Sequence, residues 1–493
     1  MVSIILIFDH IKRFKIIIFY KVRLEWLMLT YSFENKGKES LYEFLYKSIR
    51  DDILSEKLHK QEKLPSKRAL AEHLGISTIT VENAYNQLVA EGYIYSRPKS
   101  GYYVSPIDSP KLYVVADKNV YPAVKESEDI KNYKADFTNN AATQESFPFV
   151  SWAKLMRQTI SDKREQLVQN SPSVGVRELR MAISDYLFQF RGMRVDPDCI
   201  VIGAGTEYLY SMIIQLLGRD KKYALEDPGY RKIAQIYAAN NVSFDYIPLD
   251  GDGVDKKALE ESSAQVLHIS PSHHFPTGIV TPVSRRYELL SWAGECDDRY
   301  IIEDDYDSEF RFTGKPIPSL QSIDTLDKVI YINTFSKSLA STIRISYMVL
   351  PKALMERYKK ELSFYACTVS TFEQYTLAAF ICQGYFEKHI NRMRNYYRTQ
   401  RDSVMTAIKR HPLYSRVSIK EEDSGLHFLM EVETKLSDGE LTLRAREKGV
   451  NLSFLSQYYR DSESAPQHTL IINYSGLTKD GTDKAIEKLF ECL

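Results

Sequence analysis

Hydrophobic spacing changes character twice along the chain. In LYEFLYKSIRDDILS, Leu41, Phe44, Leu45, Ser48, Ile49 and Ile53 fall on one helical face. LPSKRALAEHLG predicts a second helix, with Ser66 as N-cap, Leu70, Ala71 and Leu74 inward, and Gly75 as the stop. After a tight ISTIT connection, VENAYNQLVAEG predicts a third, with Val81, Ala84, Tyr85 and Leu88 as its stripe. YIYSRPKSGYYV then alternates around a Pro-Lys-Ser-Gly turn, the pattern of a two-stranded β wing. From Ser105 to about Asp136 no long periodic segment occurs, and Pro106, Pro110 and Pro122 mark a linker.

Beyond the linker the period alternates. Short apolar runs (CIVIGAG, KKYALEDPG, SFDYIPLD, QVLHISPSH, RYIIEDDYD, KVIYINTFSK, ISYMVLP) are separated by amphipathic helical stretches. This predicts an α/β domain with a largely parallel sheet, whose ligands gather at the carboxyl ends of the strands. From about Gln383 a long helical stretch leads into HFLMEV and TLIINYSG, which predicts a smaller α+β part at about 384–493. The expected division is an N-terminal extension over 1–37, a helical module with a wing over 38–104, a linker over 105–135 and an α/β body over 136–493.

A chain of 493 residues is too long for one ordinary core. Its 65 Lys+Arg balance 65 Asp+Glu, which excludes gripping nucleic acid by bulk charge and excludes a polyacidic tail. Five cysteines lie far apart with no CxxC pair, so a disulfide framework or zinc knuckle is not expected and a reducing cytoplasm is. Cys367 and Cys382, in apolar stretches, read as core thiols. The opening residues carry two short apolar runs, Ile4 to Phe8 and Ile16 to Tyr20, broken by charges. They suit neither a membrane span nor a signal peptide. An over-extended gene start, with Met28 the true one, and an amphipathic surface helix both remain open.

Helix, helix, short turn, helix, wing is the outline of a winged helix-turn-helix, whose third helix presents its first residues to base edges. Lys67 and Arg68 open the second helix, where they can reach phosphates; Arg97 and Lys99 lie on the wing. Any one of these alone is an ordinary solvated charge. Contact must come from local clustering, because the module is nearly charge-balanced. The string LPSKRALAEHLGISTITVENAYNQLVAEGYIYSRPKSGYYV resembles the GntR family of DNA-binding domains over its whole length. The resemblance implies contact with double-stranded operator DNA through Arg68, Ser77, Thr80 and the wing residues Lys99, Ser100 and Gly101. Thr78 stands where many relatives carry arginine, so the operator sequence does not transfer.

Several strand ends carry chemistry together. VIGAGTEY puts Gly205 and Thr206 at a strand-to-helix turn able to donate N–H groups to phosphate. EDPGYRK places Tyr230, IIEDDYD places Asp304 and Tyr306, and TFSKS places Lys337. Such a set meets the needs of pyridoxal 5'-phosphate (PLP): an amine for a Schiff base, a carboxylate for the pyridine nitrogen, donors for the phosphate. The lysine must shed its proton, which burial favours. From roughly Ala135 onward the chain resembles fold-type-I aminotransferases, and with the N-terminal module it resembles a MocR/GabR-type transcription regulator. TFSKSLASTIRISYMVLP, EDDYDSEFR and SPSHHFPTG carry that likeness. It implies Lys337 as the Schiff-base lysine, Asp304 on the pyridinium nitrogen and Tyr306 on the ring hydroxyl. It further implies Thr334, Ser336 and Arg344 on phosphate beside Gly205 and Thr206, and Tyr230 stacked on the ring. Acid and lysine are 33 residues apart, room for one helix-bearing crossover.

Departures from that pattern are as informative. The arginine that clamps a substrate carboxylate is replaced by Ile471, with Arg444, Arg446 and Arg460 as possible substitutes. Lys232, beside Arg231, stands where GABA-sensing relatives carry an effector arginine. Phe275 replaces an asparagine that serves the ring hydroxyl, and Asn170 a tyrosine that reaches the partner subunit's phosphate. His273 and His274 lack a second ligand pair at metal-binding spacing. The expectation is a homodimeric, cytoplasmic, membrane-free regulator that senses PLP, or PLP joined to an amine or amino acid, with residual or no transamination. The competing expectation is a working aminotransferase with an accessory DNA-binding domain.

Overall fold

The computed structural model describes residues 29–34, 36–107, 133–138, 146–312, 317–421, 425–463, 465–477 and 481–493. Two units divide the chain, one ending at Asp129 and the other beginning at Ile130. Most of the expected N-terminal extension and most of the expected linker lie outside the described residues.

In the first unit, helices Leu41–Leu54, Lys67–Leu74 and Thr78–Ala90 precede strands β1 (Ile94–Arg97) and β2 (Gly101–Val104), which pair antiparallel. Leu45, Ile49 and Ile53 from the first helix meet Leu70, Val81, Ala84, Tyr85 and Leu88 in one buried core. Ser66 caps the second helix by accepting from the Ala69 N–H, and Gly75 ends it in the left-handed conformation at φ +65°. The third helix begins earlier than its apolar stripe suggests. Ser77 accepts from the Thr80 N–H, so Thr78 to Thr80 form the first helical turn. The module also begins earlier than residue 38: Leu29, Tyr31 and Phe33 pack on its core, and Tyr31 donates to Asp52 Oδ2 at 2.8 Å.

The second unit is built on an eight-stranded sheet among the described residues, in the order β4-β11-β10-β9-β8-β5-β6-β7. These are β4 (Ile200–Gly203), β5 (Tyr223–Asp227), β6 (Phe244–Asp250), β7 (Gly253–Val254), β8 (Val266–Ile269), β9 (Tyr300–Asp304), β10 (Val329–Thr334) and β11 (Ser346–Val349). The pairs from β10 through β9, β8 and β5 to β6 are parallel; β11 runs antiparallel to both β10 and β4. Strands buried on both faces, such as β10, open on continuous apolar runs (Val329 to Ile332), as expected where both sides of the sheet are covered.

A second, smaller sheet joins β12 (Val417–Lys420), β13 (His427–Val432) and β15 (Thr469–Asn473). Its core differs from the expected 384–493 segment in two respects. Helix Tyr385–Arg410 spans both cores: Phe386 and Ile390 pack with the large sheet, whereas Met393, Tyr397, Val404 and Ile408 pack with the small one. The small core also recruits Ala135 and Phe137, because β3 (Ala135–Asp136) pairs with β14 (Val450–Asn451). Residues at the end of the expected linker therefore belong to the body. Cys382 corrects an expectation as well: at the last position of helix Thr371–Cys382 it is exposed, while Cys492 is the buried thiol.

Candidate cofactor site and DNA-facing helix

β4, β5, β8, β9 and β10 run the same way, so the loops at their carboxyl ends deliver side chains to one edge of the sheet. Asp304 closes β9 and is buried, a costly place for a carboxylate unless donors answer it. Tyr210, one turn into helix Thr206–Leu217, donates to Asp304 Oδ2. His268 Nε2, on β8, lies 3.8 Å from the same oxygen. Asp304 Oδ1 is buried with no hydrogen-bond partner among the described residues. What this oxygen lacks is a hydrogen-bond donor, a need that a protonated pyridine nitrogen would meet.

Lys337 lies in the one-turn helix Phe335–Ser338 that follows β10 directly. Burial lowers its pKa below the ordinary lysine value, opposed by the Asp307 charge. The uncharged, nucleophilic amine is thereby brought closer to neutral pH. Tyr306 is a committed donor, since burial, reinforced by Asp307 and Asp304, pushes its phenol well above the usual value. Its hydroxyl stands 3.4 Å from His273 Nδ1, which is 2.8 Å from Asp307 Oδ2. His273 approaches closely only because residue 425 is glycine: a Cβ there would lie 1.8 Å from His273 Cε1. His274 turns elsewhere, its Nδ1 2.7 Å from Thr277 Oγ1 and its Nε2 3.5 Å from Glu226 Oε2.

The expected phosphate residues fall into two groups. Gly205, at φ +94°, lets the Arg344 guanidinium lie against the helix start, where a Cβ would sit 2.1 Å from Nη2. Ser336 Oγ is buried and unpartnered among the described residues, which suits an incoming anion. Thr334 is more committed: its Oγ1 accepts from the Ser336 N–H at 3.1 Å and pairs with Ser346 Oγ at 2.8 Å. Tyr230, half exposed, meets Phe275 edge-on at 5.8 Å. The donor set and the two orphaned oxygens fit PLP.

Where a carboxylate clamp is expected, the lining is apolar. Ile471 on β15 sits opposite Leu429 on β13, and both pack with Leu455, Phe275, Tyr458 and Tyr459. The three candidate substitutes make their contacts elsewhere or face outward: Arg460 lies over the Tyr246 ring at 5.6 Å, Arg444 reaches the Glu491 carbonyl at 3.4 Å, and Arg446 is exposed in the last turn of helix Asp438–Glu447. Asn170 is exposed.

Sequence reasoning missed Tyr210, Glu207 and His427. Tyr210 reads as one more apolar position on a core-facing helix. His427 on β13 is 4.8 Å from the His273 ring, and burial, followed by His273 and with smaller parts from His274 and Lys337, holds its pKa well below the usual value. Only a three-dimensional neighbour could signal either one.

In the first unit, Arg68, Ser77 and Thr78 are exposed along the start of the second and third helices, with Thr80 partly covered. Lys67 is held by Glu82, and its ammonium lies 5.9 Å from the Tyr102 ring centre. Ser77 Oγ is occupied as a cap and bonds Thr80 Oγ1 at 2.8 Å. On the wing, Arg97 stacks over Tyr103 at 4.7 Å, Lys99 adopts φ +59° at the turn and Ser100 Oγ meets Tyr103 Oη at 2.6 Å. Two residues join the expected set. Ile79, 69% exposed in the first turn of the third helix, can meet a thymine methyl, and Lys63 approaches the wing at Gly101.

Comparison with known proteins gives two family matches, "Aminotransferase class I and II" over residues 134–489 and "Bacterial regulatory proteins, gntR family" over residues 41–104. The HTH-type transcriptional regulator YdeL of Bacillus subtilis is 38% identical over 449 residues, covering 91% of this chain and 96% of that protein. The probable rhizopine catabolism regulatory protein MocR of Rhizobium meliloti is 31% identical, covering 90% and 92%. Pyrococcus horikoshii kynurenine aminotransferase superposes with a TM-score of 0.64 at 23% identity, covering 74% of this chain and 91% of that one, and shows the fold.

Proposed function

Since this chain belongs to the MocR-type family of transcriptional regulators, which join a GntR-type DNA-binding module to an aminotransferase class I and II domain, we propose that it senses PLP and that occupancy alters operator binding. The observation that carries this reading is Asp304 Oδ1, buried and unpartnered on the same strand-end edge as Lys337.

PLP, when bound, supplies an aldehyde for an amine and a pyridinium ring that withdraws electrons. To hold it, Asp304 would accept the pyridinium N–H while Tyr210 fixes the carboxylate. Lys337 would present its amine, Tyr306 would donate toward the ring hydroxyl and Tyr230 would cover the ring. Gly205, Thr206, Ser336 and Arg344 would receive the phosphate, with Thr334 bracing Ser336. The apolar wall of Ile471, Leu429 and Leu455 offers nothing to a carboxylate. The signal is therefore PLP itself, or PLP joined to an amine without one, and amino-acid turnover is residual or absent.

Ligand acts on DNA affinity through different binding to two states of the chain, and the coupling is reciprocal. In the proposed assembly two copies pair through the large domain and read a repeated site in the cytoplasm. A mobility-shift assay on the gene's own upstream region, with and without PLP, tests the reading. PLP must change the affinity, and Lys337→Ala must remove both that response and the visible absorbance of bound cofactor. Steady transamination across a broad panel of amino donors and keto acids would instead make the protein an enzyme.

A further inference from the structure

One acidic side chain stands in the expected phosphate half of this site, where a carboxylate cannot itself bind phosphate. Glu207 follows Thr206 in the first turn of helix Thr206–Leu217. Its Oε2 accepts from Arg344 Nη2 at 2.6 Å, and its Oε1 is paired with Lys232. The same guanidinium lies against the Gly205 backbone, where the helix start offers its N–H groups. A phosphate arriving there meets a cation already shared with a carboxylate of the same chain. Two anions that use one guanidinium weaken each other's binding. Lys232 partly offsets the acid by drawing on its other oxygen.

We propose that Glu207 is an internal competitor for the cofactor's phosphate, and that it sets the affinity of the site so that occupancy follows ligand concentration. The inference rests on the PLP-sensing reading and adds to it the element that keeps the sensor from being permanently filled. It concerns the phosphate alone, so the ring and the aldehyde should not feel it. The carboxylate is charged at neutral pH, because the Lys232 hydrogen bond, with help from Arg344, holds it below the usual carboxylate range.

The test is a set of titrations on the full chain and on Glu207→Gln and Lys232→Gln. PLP and pyridoxal are read by absorbance, and inorganic phosphate by thermal shift. In Glu207→Gln the dissociation constants for PLP and for phosphate should fall roughly tenfold, as expected for removing one like charge near the anion. Pyridoxal should bind as before. Lys232→Gln should move PLP and phosphate the opposite way, so a loss of fold in one variant does not mimic the result. Unchanged or weaker phosphate and PLP binding in Glu207→Gln would overturn the proposal and make Glu207 a positioning residue for Arg344. If PLP gives no visible band in the parent protein, the sensing reading falls, and the phosphate arm still decides the part played by Glu207.

Discussion

Tyr210 donates to one oxygen of Asp304 and leaves the other, buried, without a partner among the described residues. An acid arranged in this way is fixed in direction and still able to accept one more proton donor. Asp304→Asn keeps the shape and removes the charge that holds a pyridinium N–H. The purified variant should retain no bound PLP by absorbance after dialysis. Tyr210→Phe should retain it with an affinity weaker by roughly ten- to hundredfold, the scale of one hydrogen bond to a charged group. Equal PLP affinity in Asp304→Asn would remove the carboxylate from the site.

The DNA-binding module offers a clean contrast between contact and architecture. Arg68 is exposed, so Arg68→Ala should weaken operator binding, lower the salt dependence by about one phosphate contact and leave the module's melting unchanged. Ser77 caps the third helix, so Ser77→Ala should lower stability by about 1 kcal/mol and weaken binding through a frayed helix start. Ile79→Ala should relax preference at one base pair and leave non-specific affinity alone, which a set of single-base operator variants would read out.

Much of this was legible beforehand because the relevant signals are local. Ser66 and Gly75 bracket a helix by their own chemistry, and an apolar run such as Val329 to Ile332 announces a strand covered on both faces. That Asp304 and Lys337 sit at neighbouring strand ends follows from parallel strands pooling their carboxyl termini, while the roles expected of them rest on the family resemblance. What escaped depends on neighbours far apart in sequence. Tyr210 becomes a ligand of Asp304 only across 94 residues, and Lys67 is occupied by Glu82 on the next helix. Helix Tyr385–Arg410 carries one continuous apolar stripe, so nothing in its sequence marks where one core hands over to the other.

Ile471 faces Leu429 across β13 and β15, and its side chain is buried. Ile471→Ala should destabilise the second unit by about 2–5 kcal/mol, read from its denaturant midpoint. Ile471→Arg is the informative variant. It places a donor at the wall, so amines bearing a carboxylate should gain affinity relative to those lacking one, read by the absorbance change as each amine is titrated into the PLP-loaded protein. If the parent protein already prefers carboxylate-bearing amines, the apolar wall does not select the signal.

His274 and Glu226 face each other at 3.5 Å, the histidine buried and the glutamate side chain largely covered, and stability should respond to pH in both directions. Burial lowers His274 from 6.5 to about 3, helped by His273, so the unfolded chain binds a proton there that the folded chain refuses. Its contribution is complete above about pH 6.5 and drains away as the pH falls toward 3. His389, lowered by burial to about 4, acts in the same sense. Glu226 runs the other way. Burial raises it from 4.5 to about 8, so its contribution is complete below about pH 4.5 and is lost as the pH rises toward 8. Denaturant midpoints across this range should give a maximum between the two limbs. His274→Gln should make the acid limb shallower, with the part from His389 remaining, and Glu226→Gln should make the alkaline limb shallower, because Glu303 and Glu309, each raised by burial to about 7, lose stability over the same rise in pH. Each change is at most a few kcal/mol. An acid limb of the same slope in His274→Gln would show that the ring titrates freely in the folded protein.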